Sequence, residues 1–86
     1  MDVNKLILLI KNKIQKNILL EDIVIKDKTY LHNEHLSHQK GKFHLELSIK
    51  SKDLKKNNKI QATRKIYHIL EKEIKKYIHS IQILIN

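Results

Sequence analysis

The chain has 86 residues, a formal charge of +9 from eighteen basic and nine acidic side chains, and no cysteine. This length supports one domain with a single modest core and leaves little chain for a wide active-site cleft, so we do not expect an enzyme. Without cysteine the chain can form no disulfide, no thiol nucleophile and no thiolate metal site of its own, so a soft metal would need a partner's sulfur.

The first predicted element is an amphipathic helix from Asn4 to about Asn17, in which apolar residues recur every three or four positions. Either Asp2 or Asn4 could cap its start. The run "LILLI" inside it is shorter than the apolar part of a secretory signal and far shorter than the roughly 20 residues of a membrane span. We therefore expect a cytoplasmic protein that does not enter membranes.

Two strands are predicted next. "DIVIKD" (22–27) is a short β-branched run, and "FHLELSIK" (43–50) alternates strictly between apolar and polar residues, which places His44 on the polar face. The segment between the strands is predicted to be a loop, and Tyr30 to His44 contains the only glycine and four of the six histidines: His32, His35, His38 and His44.

A polar connector, "SKDLKKNNK", follows with a possible helical turn at Ser51 to Leu54. A helix of about 17 residues comes next. Its predicted apolar face consists of Ile60, Ile66, Tyr67, Leu70, Ile74, Tyr77 and Ile78. "IQILI" (81–85) alternates and closes the chain as a third strand. We see no repeat or linker, so residues 1–86 are predicted to form one α+β domain, with a three-stranded sheet covered by helices on one face.

The positive charge has two interpretations. It is typical of a partner such as nucleic acid, and the densest basic stretch consists of Lys55, Lys56, Lys59, Arg64 and Lys65. However, seventeen of the eighteen basic residues are lysines, whereas base recognition favours arginine. The abundance of lysine, isoleucine and asparagine also fits the coding bias of an AT-rich genome.

Three segments together resemble the BolA-like protein family. "DKTYLHN" (27–33) resembles the family's loop between the first two strands, and "FHLELSIKS" (43–51) resembles its second strand. "RKIYHILEKEIKKYIHSIQI" (64–83) is similar without a gap to its long helix and the following step, which contains a histidine. The resemblance extends over nearly the whole chain.

This resemblance implies an αββααβ fold like that of class II KH domains and a partnership with a monothiol glutaredoxin. In such a heterodimer a bridging [2Fe-2S] cluster is held by thiolates of the glutaredoxin and its glutathione, and by imidazole from the BolA-like side. Carried over to this chain, the ligands are His79, between the long helix and the last strand, and His32 in the loop. Imidazole ligands raise the reduction potential of such clusters and make ligation sensitive to pH. For the isolated chain we expect no cofactor and a monomer or weak homodimer.

The alternative function is a DNA-binding transcription regulator, for example in a stress response, that uses the basic connector and long helix. Members often have Arg-His-Arg at the start of that helix, where this chain has Ala62, Thr63 and Arg64. The departure favours the cluster function. No phosphate-binding loop, "GxxG" clamp or catalytic triad supports another chemistry.

Each histidine also has a simpler interpretation. His79 could interact with the carbonyls and dipole at the end of a helix, and His32 could be a solvated loop residue. His35 and His38 could bind nickel or zinc, but without cysteine or a carboxylate framework beyond Glu34 their spacing is better explained by chance. His44 and His68 are expected to be structural or solvated.

Overall fold

The computed structural model describes residues 2–29 and 42–86. The predictions for His32, His35 and His38 fall outside these residues. The elements in chain order are α1 (Val3–Asn17), β1 (Asp22–Asp27), β2 (Phe43–Lys50), α2 (Lys52–Lys55), α3 (Lys59–Ile69), α4 (Glu71–Tyr77) and β3 (Ile78–Ile85).

Helix α1 forms where the apolar periodicity predicts it. Asp2 caps its start, because the Asp2 carboxylate accepts a hydrogen bond of 2.7 Å from the backbone N–H of Asn4. The helix buries Leu6, Ile10 and Ile14 completely. Among the described residues, no helix combines the length and the apolar character needed to cross a bilayer.

The three strands form one sheet in the order β1-β2-β3, with β1 antiparallel and β3 parallel to the central β2. Leu45, Leu47 and Ile49 alternate along β2 and point into the core, as the sequence pattern predicts. The helices cover this face of the sheet, which confirms the predicted α+β class. The core consists of Leu6, Ile10, Ile14, Ile18, Ile23, Leu45, Leu47, Ile49, Leu54, Ala62, Ile66, Leu70 and Ile78.

The connector after β2 contains the predicted helical turn, α2. Its N-cap is the fully buried Ser51, whose hydroxyl accepts a hydrogen bond of 3.2 Å from the Leu54 N–H and donates one of 2.8 Å to the Leu19 carbonyl. One side chain therefore caps α2 and joins it to the turn between α1 and β1. Asn58 caps α3 in the same manner through the N–H of Gln61.

The prediction of one uninterrupted long helix was wrong. The chain forms α3 and α4, which meet at Leu70, where ψ is 12° and the backbone leaves the helical region. Leu70 is fully buried. It stays hydrogen-bonded to both helices, since its N–H donates to the Ile66 carbonyl over 3.0 Å and its carbonyl accepts from the Ile74 N–H over 2.9 Å. Ile60 and Tyr67 do not belong to the buried face, since 66% and 41% of their surfaces are exposed.

Strand β3 begins directly at the end of α4, three residues earlier than predicted. Tyr77 is the last helical residue and Ile78 the first strand residue, so no connector separates the two elements. An ion pair of 2.7 Å between Lys13 of α1 and Glu73 of α4 holds α4 against the first helix. Glu73 is almost completely buried, so its carboxylate depends on Lys13 as its cation.

Candidate functional site

The end of β1 and the starts of β2 and β3 lie together at one end of the sheet. Asp27 pairs with Leu45, and Phe43 pairs with Ile78. The two ends of the histidine-rich segment are therefore held by strand pairing close to His79, the residue after Ile78.

A β-bulge determines the position of His79. Phe43 pairs with Ile78, but the next residue of β2, His44, pairs with Ser80, so β3 contains one residue more than β2 at this point. The extra residue is His79. In a bulge of this kind two side chains oppose one on the neighbouring strand. His79 and Ser80 therefore both lie opposite His44, on the sheet face that the helices leave uncovered.

His44 is a buried and well-anchored histidine. Only 4% of its surface is exposed, although it lies on the polar face of β2. Its Nδ1 is 2.6 Å from the hydroxyl oxygen of Ser80, and its backbone N–H donates to the Thr29 hydroxyl over 3.1 Å. Its carbonyl accepts a hydrogen bond of 2.7 Å from the N–H of Lys28. Of the two interpretations that the sequence left open, the structural one is correct.

The imidazole of His79 packs against the imidazole of His44. The ring centroids are 4.9 Å apart and the ring planes are inclined by 59°, within the range of tilted aromatic pairs. His79 itself is exposed. It belongs to β3 and lies two residues after Tyr77, the last residue of α4. The interpretation of His79 as a residue that interacts with the end of the helix stays a prediction.

An open depression of about 470 Å³ lies on this face next to the two histidines. Its lining combines polar and apolar groups and consists of Lys28, His44, Leu45, Glu46, Ser80, Ile81 and Gln82. His44 and Ser80, which line the depression, are also the residues next to His79.

The possible metal ligands of the described residues fit one half of a metal site that a partner protein completes. Residues 2–29 and 42–86 contain no group of three or more His, Cys, Asp or Glu residues placed to hold a metal ion. His79 offers one exposed imidazole, whereas iron-sulfur clusters are held mostly by cysteine thiolates, which this chain lacks. An iron-sulfur cluster at His79 would therefore depend on ligands from a partner. The second predicted ligand of this chain, His32, lies outside the described residues.

The remaining predicted residues lie elsewhere. His68 is exposed on α3. The basic stretch Lys55, Lys56, Lys59, Arg64 and Lys65 is exposed on α2, the following turn and α3. Lys55 and Lys59 lie beside Ile85, at the far end of β3. At about 3.3 Å per strand residue, that end is about 20 Å from His79.

Comparison with known proteins shows the family of this chain. A family model described as BolA-like protein matches residues 14–86. The chain belongs to the BolA-like family. The comparison with curated proteins gives no match.

Two solved BolA structures from Arabidopsis thaliana are similar to this BolA-like chain. BolA1 is 26% identical with a TM-score of 0.75, and the match covers 90% of this chain and 84% of that one. The BolA domain of SufE1 is 24% identical with a TM-score of 0.78, and the match covers 92% and 87%. The second likeness shows the fold alone.

The contact between His44 and the start of β3 escaped the sequence analysis. Ser80 was included only as the small residue of the family-like step after the long helix, and His44 was placed on the polar face of β2, because alternation along one strand says nothing about the neighbouring strand. A bulge on β3 was needed to place Ser80 and His79 opposite His44.

Proposed function

We propose that this BolA-like chain is an adaptor that pairs with a monothiol glutaredoxin and co-ligates a bridging [2Fe-2S] cluster in iron-sulfur trafficking or in iron and redox regulation. The ligand from the described part of the chain is His79, and His32 is the proposed second ligand. The glutaredoxin and its glutathione provide the thiolates.

The observation that carries the proposal is the exposed imidazole of His79 in the bulge of β3. A metal ligand that serves two proteins must be accessible to the partner and also fixed to its own fold. His79 meets both conditions, since its side chain is exposed while its ring packs 4.9 Å from the buried ring of His44. The family resemblance assigns the ligand to this same residue.

The role of this chain is to bind and to orient. His79 provides a nitrogen ligand from the start of a strand whose position the core fixes through Ile78. Glu46, Ser80 and Gln82 beside it offer polar groups to the partner's surface or to glutathione. When bound, the cluster supplies a redox-active iron centre that can be passed on or sensed.

The test is coexpression with a monothiol glutaredoxin in cells that contain glutathione. We expect a brown heterodimer in size-exclusion chromatography, with iron and sulfide that follow the protein peak. Its visible circular dichroism should differ from that of the same glutaredoxin purified alone, because one side of the ligand set has changed. Separate elution of two chains, with no iron in the fractions of this one, would refute the adaptor function.

A further inference from the structure

We propose that His44 is a positioning residue for His79. In this inference the buried imidazole of His44 supports the ring of His79 and restricts it to the orientation in which it binds the cluster. The identity of the bound group rests on the proposed function, whereas the restricted rotation of His79 is a property of the isolated chain.

His44 is held from several directions. Ser80 bonds to its Nδ1 over 2.6 Å, while Lys28 and Thr29 bond to its backbone carbonyl and N–H. Thr29 is itself anchored, because its hydroxyl and its backbone N–H both bond to the Asp27 carboxylate. With 4% of its surface exposed, His44 has little room to change rotamer.

His79 has no comparable support from its own strand. As the extra residue of the bulge it has no paired residue on β2, and its side chain is exposed. An exposed histidine normally samples several rotamers. In the described part of the chain, the only ring contact of His79 is with His44. That contact is therefore what limits its χ1 rotation.

Supporting residues of this kind have a known chemical effect. Groups that orient a metal-binding histidine commonly change metal affinity or activity by about 10- to 100-fold when they are removed. The arrangement here differs from the usual hydrogen bond to the ligand's second nitrogen. His44 acts by ring packing, and the hydrogen bond lies one step back, between His44 and Ser80.

The first experiment uses the isolated chain and needs no cluster. Three-bond couplings of labelled protein report the χ1 populations of His79 in solution. We expect one dominant rotamer in the unmodified chain, rotamer averaging in His44→Ala and partial averaging in Ser80→Ala. The matched control His68→Ala removes an exposed histidine and should leave the His79 couplings unchanged.

Couplings of His79 that are already averaged in the unmodified chain, or that stay unchanged in His44→Ala, would overturn the inference. Should His44→Ala fail to fold by far-ultraviolet circular dichroism, Ser80→Ala decides alone, because the Ser80 side chain is exposed. Unchanged His79 couplings in that variant would then overturn it.

The second experiment measures cluster loss from the purified heterodimer to an iron chelator. We expect His44→Ala to accelerate the loss about tenfold when His79 is present, and to have no further effect in a His79→Ala background. Such non-additivity is the signature of a residue that acts through another. Equal acceleration in both backgrounds would instead show that His44 acts on the cluster independently.

The two experiments separate the inference from the proposed function. A chain that forms no cluster with any monothiol glutaredoxin, but loses the ordered rotamer of His79 in His44→Ala, would refute the adaptor function and support the positioning. If the cluster forms but the His79 couplings stay unchanged in His44→Ala, the adaptor function is supported and the positioning role of His44 is refuted.

Discussion

His79 reaches the outer face of the sheet because β3 has one residue more than β2 between two paired positions. In a regular strand, residues two apart share a face, so alternation back from the core-facing Ile81 would turn His79 toward the helices. The bulge shifts this alternation, and Ile78 takes the buried position instead. One additional residue thus exposes an imidazole that the strand pattern would hide.

We predict that His79→Ala leaves the fold intact but weakens or alters the shared cluster. The side chain is exposed, and surface substitutions of this kind usually change stability by no more than about 0.5 kcal/mol, whereas a metal ligand is lost. Far-ultraviolet circular dichroism and thermal unfolding check the fold, and visible absorption and circular dichroism of the heterodimer check the cluster. An unchanged visible spectrum would exclude His79 as a ligand. His68→Ala is the matched control.

We predict further that His32→Ala perturbs the cluster more than His35→Ala or His38→Ala. Only His32 matches the loop position that supplies a second ligand in some members of the family, while the other two are expected to be incidental. The three single variants should be compared in the same glutaredoxin heterodimer by visible circular dichroism and by the rate of cluster loss. If all three behaved alike, the assignment of the second ligand would be wrong.

Helices and strands were predictable wherever a single periodicity extends over the element. The stripe of α1 and the alternation of β2 each have one interpretation, and both elements were placed within one residue. The break at Leu70 was not predictable, because neither glycine nor proline marks it and leucine favours helices. Leu70 is buried in the core, which one periodicity along the helix does not distinguish from an ordinary core position.

The boundary between α4 and β3 was ambiguous for a different reason. Ile78 follows Ile74 by four residues and so extends the helical stripe, yet it also fits the start of a strand. Its pairing with Phe43 decides in favour of the strand. The candidate site was therefore predictable at His79 and its neighbour Ser80, through the family resemblance, but not at His44, which meets them only through strand pairing.

The ion pair between Lys13 and Glu73 should stabilise the packing of α4 on α1. We predict that Lys13→Met lowers the free energy of unfolding by about 1–2 kcal/mol, because it leaves the nearly buried Glu73 carboxylate without its cation. Two-thirds of the Lys13 side chain is shielded, so solvent screens the pair only in part. Urea unfolding gives the measurement.

The matched control is Lys75→Met. Lys75 pairs with Glu71 over 3.4 Å, but both side chains are more than half exposed, and such a pair is usually worth less than about 1 kcal/mol. Equal losses from the two substitutions would mean that the Lys13–Glu73 pair has no special role in holding α4.

At the scale of the whole molecule, the net charge of +9 and the candidate site are separate features. The basic stretch lies near the end of β3 and His79 at its start. Along α3, with about 100° per residue, Arg64 is about 140° and Lys65 about 240° around the helix from Lys59. These three residues therefore do not lie along one line of α3.

We predict that DNA binding by the isolated chain is non-specific. Lysine contacts with phosphates release condensed counterions, so the affinity should fall steeply as salt is raised, and it should not depend on sequence. A salt titration with a promoter fragment and a scrambled duplex of equal length tests this. A preference of about a hundredfold, or about 3 kcal/mol, that persists at physiological salt and disappears in Arg64→Ala would support a transcription regulator instead.

The direct junction between Tyr77 and Ile78 leaves no loop residues between α4 and the candidate site. In many domains a loop between helix and strand absorbs small displacements, but here the proposed ligand His79 lies two positions after the last residue of α4. A pull on His79 therefore acts on α4 along the covalent chain. Glu73 of α4 in turn pairs with Lys13 of α1 over 2.7 Å. His79 on the uncovered face is thus connected to two helices behind the sheet by one covalent junction and one ion pair.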